Sequence, residues 1–257
     1  MAFLHAQIEG KIAVITINRP PANALSQELL LELDEMLTEF STNDDVRVIV
    51  IRGEGKFFCA GADIREFTTI GSQEKAYELA RNGQQLMDKI EQYPKPIIAS
   101  IHGAALGGGL ELAMGCHIRL VSENAKLGLP ELSLGIIPGF AGTQRLPKYV
   151  GEQIALEMMI TSEPISGTEA CQYGLALRAF PEEKLFEETM KLAEKFASKS
   201  PASVKAVFNL LKYTKTEQFA EGIEQEAKWF SEVFRTEDAK EGIQAFIEKR
   251  KPNFVGK

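Results

Sequence analysis

His102-Gly103-Ala104-Ala105-Leu106-Gly107-Gly108-Gly109-Leu110-Glu111-Leu112-Ala113-Met114 follows a β-branched run, Pro96-Ile97-Ile98-Ala99-Ser100-Ile101, and runs into an apolar helix. A strand that turns through glycines into a helix is a unit of an α/β layer fold. Glycine lets the backbone turn sharply and approach a ligand closely. The first amides of such a helix lack intrahelical acceptors, so they face any anion or developing oxyanion placed before them. No G-x-G-x-x-G with the right continuation is present, and no Gly-Lys-Ser/Thr closes the loop, so this is neither a dinucleotide nor a phosphate-loop fingerprint. Taken alone, the stretch is either a tight turn packed on the core or a ligand-binding loop. Glu111 within it is flanked by Leu110, Leu112, Ala113 and Met114. A carboxylate there lies either on a solvent stripe or is buried for a reason, and a buried carboxyl suits proton transfer near neutrality.

Outward from this stretch, strands and helices alternate. Ile12–Ile17 reads as a strand ended by Asn18-Arg19-Pro20-Pro21. Ser26 can cap a helix whose apolar positions Leu29, Leu33, Met36, Leu37 and Phe40 fall on one face. Val46–Ile51 is a second strand, apolar enough for burial on both faces. Residues 73–92 form a helix with Leu79, Gly83, Leu86, Met87 and Ile90 on one side, and His117–Val121 is a further strand. The alternation predicts an α/β fold with mainly parallel pairing. From Pro181 onward only amphipathic helices are apparent: Val204, Val207, Phe208 and Leu211 make one stripe, and Phe219, Ile223, Phe230 and Phe234 another. Ser200-Pro201 separates this region, whose aromatic surface needs a core or a second subunit to cover it.

Two more segments draw attention. In 127–145 Glu131 is the first charge of an apolar, Gly- and Pro-rich stretch that stays uncharged until Arg145. Such loops house catalytic groups, although Pro130-Glu131 is equally a helix start. Upstream, Phe57-Phe58-Cys59-Ala60-Gly61-Ala62-Asp63-Ile64 follows the second strand, and its small residues let a ligand lie along the backbone. Cys59, with aromatic neighbours and no clear histidine partner, reads as a small buried hydrophobe rather than a nucleophile.

Composition narrows the class. At 257 residues, 44% hydrophobic and 25% charged, the chain can bury a core without staples and is not largely disordered. Its net charge of −7 at pH 7 argues against a general nucleic-acid binder. Three cysteines without C-x-x-C spacing and three histidines without a helical pair predict no disulfide framework and no metal site, in a reducing cytoplasm. The N-terminus turns polar too early for a signal-peptide core, and the longest weakly polar run, 97–110, holds four glycines and is short of the about 20 residues that span a bilayer. No membrane partner is expected.

CAGADI at 59–64, HGAALGGGLELAMGC at 102–116, LPELSLGIIPGFAGTQRL at 129–146 and EGIQAFIEKRKPNF at 241–254 together resemble the crotonase superfamily, specifically its enoyl-CoA hydratases. The resemblance covers essentially the whole chain. It implies a spiral of β-β-α turns over residues 1–197 and a helical C-terminal region, 198–257, that forms trimers, often paired into hexamers. Carried over by motif, it makes Ala62 and Gly108 the two backbone donors to a thioester carbonyl. Glu111 becomes the base that activates water and Glu131 the acid at C2. Ala60, Asp63, Ile64 and Arg65 match the segment that lines coenzyme A, and Phe246 and Lys249 match positions that reach the ligand, sometimes from a neighbouring subunit. Without the resemblance, Lys249-Arg250-Lys251 is a solvated charge cluster. Retention of both carboxylates favours hydration over isomerisation, whereas Leu129 stands where hydratases frequently have Gln. The implied activity is hydration of 2-trans-enoyl-CoA in fatty-acid β-oxidation, with coenzyme A entering only as part of the acyl-CoA substrate and no separate cofactor.

Overall fold

The computed structural model describes residues 3–199, 204, 207, 208, 227, 228, 230–232, 234–250 and 252. Two strands open the chain: β1 (Leu4–Glu9) and β2 (Ile12–Ile17), paired antiparallel around Gly10. The sequence pattern does not announce β1, because only Leu4 of its six residues is buried and no alternation results. Helix α1 (Gln27–Thr42) starts at Ser26, whose hydroxyl accepts from the Leu29 amide at 3.2 Å. Leu29, Leu33, Leu37 and Phe40 are buried as the spacing predicts, with Met36 at the margin.

Strand β3 (Val48–Gly53) begins two residues later than the apolar run suggests, since the Val46 amide still closes the turn after α1 onto the Asn43 carbonyl. Next come α2 (Ile64–Phe67), α3 (Gln73–Glu91), β4 (Ile97–Ile101), β5 (Ala104–Leu106) and α4 (Gly108–Gly115). They are followed by β6 (Ile118–Ser122), β7 (Lys126–Gly128), a 3-10 turn (Pro130–Leu134), α5 (Gly142–Val150) and α6 (Glu152–Thr161). Finally β8 (Ile165–Ser166), α7 (Gly167–Gln172), β9 (Arg178–Phe180), α8 (Glu182–Ala197) and a C-terminal helix, Glu237–Ile247, complete the described elements.

The main sheet has the order β1-β2-β3-β4-β6-β9, parallel beyond the first pair, and a small sheet has the order β5-β7-β8. Single bridges, Leu25 to Ala62 and Cys59 to Ala105, extend the small sheet sideways. Four of the main strands therefore feed a short extended piece before the next helix or helical turn. β2 leads through Leu25 to α1, β3 through 59–62 to α2, β4 through β5 to α4, and β6 through β7 to the 3-10 turn. These repeated steps are the β-β-α spiral.

The uninterrupted apolar runs follow from two covered faces. Ile15, Ile49, Ile51, Ala99 and Ile101 face the large core with α1, α3 and α4. Val14, Val48, Val50, Ile98 and Leu120 face the opposite side, where Leu185 and Ala193 of α8 close over them. Of the C-terminal stripes, Phe230 is buried and stacks edge-on against Phe67, as does Phe234. Val207 is exposed, and Val204 and Phe208 are partly covered. Ser200-Pro201, Leu211, Phe219 and Ile223 lie outside the described residues.

Candidate active site

Two backbone amides come together where the small sheet meets α4. Leu25 bonds to both neighbours of Ala62, donating to the Gly61 carbonyl and accepting from the Asp63 amide, each at 2.8 Å. In such a parallel bridge the Ala62 N–H must point the other way. The Ala62 nitrogen lies close to Gly108, the first residue of α4: a Cβ built on Gly108 would lie 3.4 Å from it. Neither amide donates to an acceptor among the described residues. Gly109 explains how α4 comes so close, because a Cβ there would stand 2.2 Å from the Cys59 carbonyl oxygen.

Glu111 is one helical turn further on and only 2% exposed. Its Oε1 accepts from the amides of Phe140 at 2.8 Å and Gly142 at 2.7 Å, so the buried carboxylate has charge-assisted partners from a distant loop. That loop passes through Ala141 at φ +75°, a left-handed conformation uncommon for a residue with a Cβ. Glu131 is partly buried in the first turn of the 3-10 segment, behind Pro130, so the loop and helix-start readings of this stretch are both realised. A Cβ on Gly107 would lie 2.8 Å from Glu131 Oε1, which places this carboxylate at the entry to α4. Ala62, Gly108, Glu111 and Glu131 all line one cavity of about 330 Å³, whose walls are largely apolar and include Phe67, Leu79, Ile136 and Phe140.

A second, more polar groove of about 880 Å³ adjoins it, sharing Ala60, Ala62, Ile64 and Phe246. Asp63, Arg65 and Lys249 also line this groove. Phe246, 55% exposed, stands at the mouth common to both spaces. Arg19 is a member that sequence reading missed, having treated Asn18–Pro21 only as a strand end. It lines the groove and pairs with the Asp63 carboxylate, whose other oxygen caps α2 at the Arg65 amide. The terminal basic cluster divides: Arg250 folds back on Glu241 and Glu248, while Lys249 borders the groove and Lys251 lies outside the described residues. Leu129 is fully buried and packs with Pro138 around Gly142, behind the Glu111 carboxylate.

Burial pushes the Cys59 thiol up to about 12, so it is not a thiolate near neutrality. Among the described residues no cluster of His, Cys, Asp and Glu is placed to hold a metal ion, and no helix is long and apolar enough to cross a membrane. The site can offer two neighbouring backbone amides and two carboxylates beside an apolar chamber, with cations along an adjoining groove.

An apolar chamber with paired amides at a β-β-α junction defines a class, and the comparisons agree with it. Residues 7–257 match the family model described as Enoyl-CoA hydratase/isomerase. The chain is 58% identical over 250 residues to a probable enoyl-CoA hydratase of Bacillus subtilis (strain 168), covering 97% of each. It is 42% identical over 255 residues to a crotonyl-CoA hydratase of Syntrophomonas wolfei, covering 97% of this chain and 96% of the relative. A solved enoyl-CoA hydratase from Mycobacterium avium subsp. paratuberculosis K-10 superposes with a TM-score of 0.88 at 25% identity, covering 99% of each chain. The fold is thus the crotonase fold, and the chain belongs to the enoyl-CoA hydratase/isomerase family.

Proposed function

We propose that the protein is an enoyl-CoA hydratase, adding water reversibly to 2-trans-enoyl-CoA to give the 3-hydroxyacyl-CoA. The observation that carries this reading is the meeting of Glu111 and Glu131 with the Ala62 and Gly108 amides in one cavity. The thioester oxygen sits between the two amides. As water attacks C3, negative charge moves onto that oxygen, and two fixed donors stabilise the enolate-like state; losing one such donor typically costs about 2.7–4 kcal/mol. Glu111 accepts the proton of the attacking water, and Glu131 delivers a proton to C2. One C–O and one C–H bond form, the C=C π bond is lost, and a final proton exchange restores both carboxyl groups.

The acyl chain occupies the apolar cavity. The coenzyme A portion lies along Ala60, Asp63, Ile64 and Arg65 toward Phe246 and Lys249, where Arg19, Arg65 and Lys249 supply charge for phosphates. Coenzyme A enters as part of the substrate, with no separate cofactor. Fatty-acid β-oxidation in the cytoplasm is the setting that suits this chemistry. Residues 198–257 form an oligomerisation region, giving a homotrimer or homohexamer. Leu156, Ile160 and Leu177, each more than half exposed, support a covered surface in that assembly.

The test follows the conjugated-thioester absorbance of crotonyl-CoA on addition of protein. Loss of absorbance with a mass gain of one water is the expected result. Binding without loss would move the assignment to isomerisation, and neither binding nor loss would overturn the reading.

A further inference from the structure

The peptide joining Gly139 to Phe140 holds Glu111 at one end and is itself held at the other. Its N–H donates to Glu111 Oε1 at 2.8 Å, and its carbonyl accepts from Gln84 Nε2 at 3.0 Å. Gln84 belongs to α3 and is completely buried, on a face otherwise made of Ala76, Ala80, Gly83 and Met87. Packing alone gives no reason for a polar amide there, and a buried amide survives only with partners. The orientation of that amide is fixed by chemistry. Arg81 Nη1 donates to Gln84 Oε1 at 2.7 Å, and a guanidinium can only donate, so the NH₂ group must face Gly139. A donor-to-acceptor chain therefore runs from the Arg81 cation through Gln84 and one peptide to the Glu111 carboxylate.

The second peptide that holds Glu111 is built the same way. Its N–H, on Gly142, meets Oε1, while its carbonyl, on Ala141, accepts from the Gln144 and Arg145 amides of α5. Hydrogen bonding at a carbonyl polarises the peptide and strengthens its N–H as a donor. Gly83 fixes the loop laterally, since a Cβ there would stand 2.1 Å from the Phe140 ring. The charged groups around this network are Glu131 from the 3-10 turn, Arg145 with Asp88 and Glu91 behind the loop, and Arg81 behind Gln84.

We propose that Gln84 is a positioning residue for Glu111: through the Gly139–Phe140 peptide it fixes where the carboxylate stands and how firmly its charge is held. The proposal rests on the hydratase reading, in which Glu111 takes the proton from water. The test compares the parent chain with Gln84→Met, which keeps the volume and removes the donor. The variant should fold with a melting temperature lowered by a few degrees, because the Gly139 carbonyl loses its donor, and keep its KM for crotonyl-CoA within about two-fold, while kcat falls about ten- to a hundred-fold. The acid limb of its kcat–pH profile should move to higher pH, because a less polarised Phe140 amide stabilises the carboxylate less. Arg81→Met, at the half-buried outer end of the chain, should show both changes in smaller degree, and it carries the test if Gln84→Met does not fold. Unchanged kcat, a rise in KM alone, or a lower kcat with an unmoved acid limb would each overturn the positioning role. A parent chain that does not hydrate crotonyl-CoA would instead overturn the hydratase reading and this proposal with it.

Discussion

Glu111 and Glu131 line the same cavity but are held in different ways. Glu111 projects from the interior of α4 and is anchored by amides 29 and 31 residues away, on a loop pinned to α3 and α5. Glu131 stands on a five-residue 3-10 turn at the edge of the chamber. That turn rests on the C-terminal helix, where a Cβ on Gly242 would lie 2.0 Å from the Leu134 carbonyl oxygen. One carboxylate is thus fixed by the core of the spiral before any substrate arrives. The other depends on a short local turn and on the tail packed against it. Disturbing the core should therefore act through Glu111, and disturbing the turn should act through Glu131.

Direct replacement of the two carboxylates gives the largest expected effects. Glu111→Gln should lower kcat by about 10³–10⁴-fold, toward the upper end for a lost general base. The Gln oxygen can still accept the Phe140 and Gly142 amides, so the melting temperature should hold. Glu131→Gln should cost less, about 10²–10³-fold, because the partly open turn lets water stand in as a proton donor. Steady-state hydration of crotonyl-CoA with paired thermal melts measures both. Equal losses, or the reverse order, would break the distinction between a fixed and a locally supported carboxylate.

Arg145 sharpens the core side of the comparison. It is 1% exposed and pairs with Asp88 at 2.6 Å and Glu91 at 3.0 Å, while its Nη1 donates to the Phe140 carbonyl at 3.1 Å. Arg145→Met removes the cation and leaves two partly buried carboxylates facing each other, which should destabilise the fold by about 3–5 kcal/mol. Burial already raises the Asp88 carboxyl above its ordinary range, with Arg145 opposing that rise. Without Arg145 it should rise further. A raised carboxyl makes the folded state bind more protons than the unfolded chain, so stability falls as pH climbs from the unfolded value through the folded one. The variant should therefore be weakest near neutrality and regain part of its loss in acid. Urea denaturation at several pH values would show this, and a pH-independent deficit would contradict it.

How much of this could be read beforehand differs by residue. Ser26 with Leu29, Leu33, Leu37 and Phe40 was legible because capping and helical spacing are local. β1 was not, since its exposed face carries no alternation, and the three-residue β5 and β7 are too short to leave a pattern. The Ala62–Gly108 pairing and the two carboxylates were legible only through joint motifs. Periodicity could not say whether Glu111 faced water, because its partners are backbone amides, which have no signature in side-chain sequence. Gln84 was hidden for a related reason. It interrupts the Leu79, Gly83, Leu86, Met87 and Ile90 stripe as an ordinary polar residue, and only the peptide it touches gives it meaning. Arg19 reads as punctuation before Pro20-Pro21 until the fold sets it beside Asp63.

The smallest effect should come from the turn that carries Glu131. Gly135 ends the 3-10 segment at φ +71°, and its amide closes the turn onto the carbonyls of Glu131 and Leu132. Alanine in that left-handed conformation costs about 1–2 kcal/mol, paid either as lost stability or as a loosened turn. Gly135→Ala should therefore lower stability by no more than that amount and reduce kcat a few-fold. Its effect on kcat should vanish in the Glu131→Gln background, where there is no carboxyl left to misplace, and persist in the Glu111→Gln background. A double-mutant cycle tests this directly, since sites that act through one another fail to add. Coupling of Gly135 to Glu111 instead would mean that the two supports are one, and the contrast between core and turn would have to be given up.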